Sequence, residues 1–81
     1  MSALLARIQE RAHNGKVRIS AHGFEELASD DISLSELLDG LPKGICVEEY
    51  LDYHKGPCVL VLQGMENGGV AHVLWGIAGN T

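Results

Sequence analysis

The sequence predicts an α+β domain: two to three amino-terminal helices packed on a twisted antiparallel sheet of three to four strands. Three observations carry this. Apolar residues recur at helical spacing through the first forty positions, the period changes to alternation after Gly44, and Glu66-Asn67-Gly68-Gly69 breaks the alternating stretch with a hairpin signal. With 81 residues and a 46% hydrophobic content, the chain makes one domain with material for one core.

Leu4, Leu5, Ile8 and Ala12 lie on one helical face, and Asn14-Gly15 is a stop signal, so the first helix runs over about residues 2–13. Arg11 and His13 fall at its carboxyl end, where cations suit the helix dipole. "KVRIS" (16–20) is a short strand that joins a sheet edge, with Val17 and Ile19 on one face. Ser20 serves as N-cap of a second helix through Phe24, Leu27 and Ala28, which Asp30-Asp31 breaks. Ser33 and Glu36 form a capping box for the third helix, with Ile32 and Leu37 as a hydrophobic staple. Gly40 ends that helix and Pro42 prevents its return.

"ICVEEYLDY", "PCVLVLQGM" and "VAHVLWGIA" read as three strands. With Asn67-Gly68 as a two-residue reversal, Leu62 opposes Val73, Leu60 opposes Trp75 and Cys58 opposes Ile77 on one side. The other side then carries Gln63 opposite His72, Val61 opposite Leu74 and Val59 opposite Gly76. This second face is too apolar to stand in water, so a helix or a partner chain covers it.

The net charge of −5 conceals an asymmetry. Residues 1–18 hold Arg7, Arg11, Lys16 and Arg18 against Glu10, whereas the rest holds Lys43 and Lys55 against ten acids. The acidic bulk disfavours broad nucleic-acid binding, and the basic start offers at most a local contact patch. Cys46 and Cys58 lack metal or redox spacing and read as core residues of a reducing compartment. No apolar run approaches the ~20 residues of a membrane span, and the polar start is unlike a signal peptide. Both features point to the cytoplasm.

His22 falls in the first turn of the second helix, with Glu26 one turn on and within reach of the imidazole. His72 lies in mid-strand, on the side away from Trp75. A His–Glu–His cluster suits general acid/base chemistry, such as phosphodiester transfer from a ribose hydroxyl if a cation stabilises the developing charge. The structural alternatives are that His22 organises the helix entry and His72 bonds Gln63 across the hairpin. No spacing motif supports a metal site, and no phosphate-binding glycine loop occurs, so no cofactor is expected.

"ISAHGFEELASDDISLSELLDGL", "GPCVLVLQG" and "GGVAHVLWGI" together resemble a family of small bacterial domains of unknown function, over about residues 16–77. That family is distantly similar to toxins of the RelE and BrnT type, compact α+β ribonucleases. The resemblance implies an RNA-cleaving scaffold with His22, His72 and Glu26 at the catalytic positions and Arg7, Arg11 and Arg18 near the substrate. It also implies an antitoxin-like protein partner or a homodimer. Gly23 and Glu26 depart from the family's usual alanine and arginine, and a carboxylate cannot neutralise phosphate. The alternative is a non-catalytic domain on the same scaffold, associating through the apolar face around Val59, Val61 and Leu74.

Overall fold

The computed structural model describes residues 2–16, 21–66 and 68–77, without the side chains of residues 21, 22 and 24. The "VRIS" part of the expected first strand, the Ser20 cap and Arg18 therefore lie outside the described residues. Three helices, α1 (Ala3–His13), α2 (Ala21–Ser29) and α3 (Leu34–Gly40), precede a 3-10 turn over Leu41–Lys43. Three strands follow, β1 (Ile45–Tyr50), β2 (Cys58–Gly64) and β3 (Val70–Gly76), in an open antiparallel sheet of order β1-β2-β3. The architecture is α+β.

Local chemistry sets each boundary. Ser2 caps α1, its hydroxyl accepting from the Leu5 N–H at 3.0 Å. Gly15, at φ +75°, closes α1 with Lys16 N–H donating to the Arg11 carbonyl and Gly15 N–H to that of Ala12. Helix α2 closes the same way, but the left-handed position is taken by Asp31 at φ 55°. There Ile32 N–H donates to the Leu27 carbonyl and Asp31 N–H to that of Ala28. Ser33 caps α3 by accepting from the Glu36 N–H at 3.1 Å. The Glu36 carboxylate reaches across to accept from the Glu66 N–H at 3.0 Å, which ties the hairpin tip to the start of α3.

The hairpin corrects the expected register. Met65 N–H donates to the Gly69 carbonyl and Gly68 N–H to the Met65 carbonyl, so the loop has three residues, 66–68. Gly68 supplies the positive φ, +86°, that such a loop needs before the strand resumes. One extra loop residue moves every pairing by one position. Leu62 opposes His72, Gln63 opposes Ala71, Val61 opposes Val73, Leu60 opposes Leu74 and Val59 opposes Trp75.

Because side chains alternate across a strand, this exchange reverses which face of β2 is internal. Val59 and Val61 are 0% exposed and join Leu4, Leu5, Ile8 and Leu41 in the core, with Cys46, Trp75 and Ile77 packed against it. The expected pairing of Leu60 and Leu62 with the Trp75 side is therefore wrong; Val59 and Val61 are covered by a helix, the first of the two expected covers, and Leu74 is not on their side. Each buried aliphatic contributes roughly 1.5–3 kcal/mol. Gln63 is also internal, 1% exposed. Its amide donates to the Leu37 carbonyl at 2.9 Å and accepts from the Trp75 indole N–H, so it bridges α3 and β3 and has no bond with His72 across the ladder. Burial of this amide is tolerable because both of its ends are bonded.

The 3-10 turn presses so closely on β2 that side chains are excluded at its flanks. A Cβ on Gly44 would lie 2.5 Å from Val61 Cγ1, and one on Gly40 would lie 2.7 Å from the Gly64 carbonyl oxygen. Gln9 of α1 completes the attachment by donating to the Leu41 carbonyl at 3.0 Å. All these contacts gather on one side of the sheet.

Candidate functional site

The other side of the sheet carries the candidate site. From the ladders, its rows read Ile45, Leu62 and His72; then Glu48, Leu60 and Leu74; then Tyr50, Cys58 and Gly76. Val70, opposite Gly64, lies beyond the first row. A break in register between Cys46 and Glu48 leaves Val47 unpaired in β1, so that Cys46 turns to the core while Glu48 turns outward. Ile45, Val70 and Leu74 are 63%, 68% and 60% exposed, and Leu60 and Leu62 are half-buried. Cys58 is the buried member of this side, and both cysteines are free thiols.

Only a few polar groups interrupt the apolar surface. Tyr50 donates its hydroxyl to the Glu48 carboxylate at 3.0 Å. That bond, with smaller contributions from desolvation and from the Glu48 charge, holds the phenol above its ordinary value of 10.0. Glu49, on the core side of β1, accepts from the Ser2 hydroxyl and fastens the sheet to the start of α1. His72 stands exposed beside Leu62 and Leu74.

The structure separates several residues that the sequence grouped. Arg7 and Arg11 are exposed on α1, whose Leu4, Leu5 and Ile8 meet Val59 and Val61. They therefore belong to the helical layer, across the sheet from His72. Glu26 is exposed on α2. The backbone of His22 lies in the first turn of α2, but its side chain lies outside the described residues. Among the described residues, no group of three His, Cys, Asp or Glu side chains is placed to hold a metal ion.

What the sequence reading missed is the membership of the outer face. A two-residue reversal puts Leu60 and Leu62 on the Trp75 side and Val59 and Val61 on the second face with Leu74, and composition does not correct it, because both sides of β2 are apolar. The available signal was Gly68, since a single obligatory left-handed residue after a turn fits a three-residue loop as well as a two-residue one.

Among the described residues, no helix is long and apolar enough to cross a membrane. No curated protein and no solved structure matches the chain. A family model does match, over residues 19–81, which takes in α2, α3 and the whole sheet. The chain belongs to the family of the domain of unknown function DUF4258.

Proposed function

We propose that this chain is a toxin-related scaffold of the RelE/BrnT kind that acts in the bacterial cytoplasm by holding an antitoxin-like protein partner and does not cleave RNA. The observation that carries the reading is the outer sheet face. It exposes Ile45, Val70 and Leu74 around Leu60 and Leu62, and its rows contain no lysine or arginine. Contiguous apolar surface of this kind marks sites of protein contact. RNA cleavage needs the reverse, a cationic group beside the acid and base to stabilise the phosphorane charge. Arg7 and Arg11 lie in the other layer from His72, and Glu26 stands where the resembling family has arginine.

The test places a photo-crosslinking amino acid at position 62 or position 7 in the living cell. The expected result is a covalent adduct with one protein other than the chain itself, from position 62 and not from position 7. Ile45→Glu, which puts a charge on the same face, is expected to abolish it. Purified chain is expected to leave RNA intact, and its expression to leave growth unaffected. RNA cleavage that disappears in both His22→Ala and His72→Ala would replace this reading with the catalytic one.

A further inference from the structure

We propose that a second copy of this chain pairs with the β3 edge in antiparallel register about Val73, extending the three-stranded sheet to six strands. This goes beyond the docking face, because an edge contact leaves that face open on both copies.

The two outer strands of the sheet differ in how they are guarded. β1 carries the bulge at Val47 and the charges of Glu48 and Glu49, devices that discourage a further strand from adding. β3 has neither. Its seven residues, VAHVLWG, include no proline and no Asp, Glu, Lys or Arg, and its register with β2 is unbroken. Among the described residues, β3 is bonded on its β2 side alone.

The hydrogen-bond alternation says which groups face outward. Met65–Gly69 and Pro57–Ile77 are bonded positions at the two ends of the β2–β3 ladder. By alternation the backbone N–H and C=O groups of Val70, His72, Leu74 and Gly76 point away from β2. Among the described residues no strand meets them.

The identity of the partner follows from the strand's self-complementarity. In a two-fold pairing about Val73, His72 of one copy faces Leu74 of the other, so that outward-pointing residues meet outward-pointing residues. Val73 then meets its own equivalent, a favourable β-branched pair, and Ala71 lies opposite Trp75, small against large. No like charges oppose each other anywhere along the strand. Both sides of β3 also have surface left to cover: Ala71, Val73 and Trp75 are only half-buried on the helical side, and Val70 and Leu74 are exposed on the outer side. A strand added from a second copy would cover the edge-facing flanks of these residues and leave Ile45, Leu60 and Leu62 open. The net charge of −5 per chain opposes approach at long range, so association should strengthen with added salt.

Sedimentation equilibrium of the full chain over a wide concentration range tests this, together with amide exchange at low and high concentration. The expected result is a mass that rises reversibly towards that of two chains, with slower exchange of the His72 and Leu74 amides as it does so. His72→Pro removes an outward N–H without touching the β2 ladder, and proline is tolerated at such an edge position. It should remain monomeric at concentrations where the parent chain is dimeric. Leu74→Lys should do the same, and decides the matter if the proline variant does not fold. Ile45→Glu, on the opposite edge, should leave self-association intact while abolishing the partner adduct described above. A parent chain that stays monomeric overturns the pairing. So does a dimer that forms equally in a folded His72→Pro or Leu74→Lys variant, or one whose His72 and Leu74 amides are not protected.

Discussion

At the scale of single residues, two positions bear loads that their types make conspicuous. Asp31 sits at φ 55° to close α2, a conformation that glycine adopts without the steric cost borne by an L residue. Asp31→Gly removes a cost of about 1–2 kcal/mol against the roughly 0.5–1 kcal/mol of extra chain entropy that glycine loses on folding, so a net gain of about 0.5–1 kcal/mol is expected, read as a raised thermal midpoint. Gln63 holds the Leu37 carbonyl and the Trp75 indole together inside the protein. Gln63→Leu matches its size but strands both groups, and should cost about 1–3 kcal/mol in denaturant unfolding. Nothing in the sequence distinguishes Gln63 from a surface glutamine. It falls in a strand where one face is as apolar as the other, and only the register decides its side.

At the scale of elements, the helices were legible because their signals are local. Gly15 and Ser33 act within one turn of their own positions, and the observed end of α1 and start of α3 fall within a residue of where they place them. The strands were legible in kind and order, and their ends shortened to Ile45–Tyr50, Cys58–Gly64 and Val70–Gly76. Their register was not legible, since a loop of two and a loop of three residues share the same glycine-rich signature and differ only in closure. The bulge at Val47 was likewise hidden, because an alternating run gives no sign of where one residue is skipped. Packing between elements can be tested at Gly44, where the 3-10 turn meets β2. Gly44→Ala puts a methyl 2.5 Å from Val61 Cγ1 and should destabilise the chain by roughly 1–3 kcal/mol, the range for overpacked cores. Val61→Ala in the same chain should restore part of that loss, measured as a coupling in a double-mutant cycle.

At the scale of the whole molecule, the arrangement is one-sided. Helices α1 and α3 and the 3-10 turn reach β2 from one direction, and the opposite sheet surface presents Ile45, Leu60, Leu62, Val70 and Leu74. The class of the fold could be read from the change of period at Gly44. The candidate site could be read only in part: His72 was assigned correctly to the side away from Trp75, but with the wrong neighbours. Because Ile45 and Leu74 are mostly exposed, replacing both with lysine should shift stability by no more than about 0.5 kcal/mol each while raising solubility. A large loss of stability would mean that the surface is covered within the chain.

Nuclear Overhauser contacts between strand α-protons test the register most directly, since they are strongest at the non-hydrogen-bonded pairs of an antiparallel ladder. Close contacts between the α-protons of Leu62 and His72, and of Leu60 and Leu74, are expected. Contacts linking His72 to Gln63 and Leu74 to Val61 instead would return Val59 and Val61 to the surface and remove Leu60 and Leu62 from the outer face.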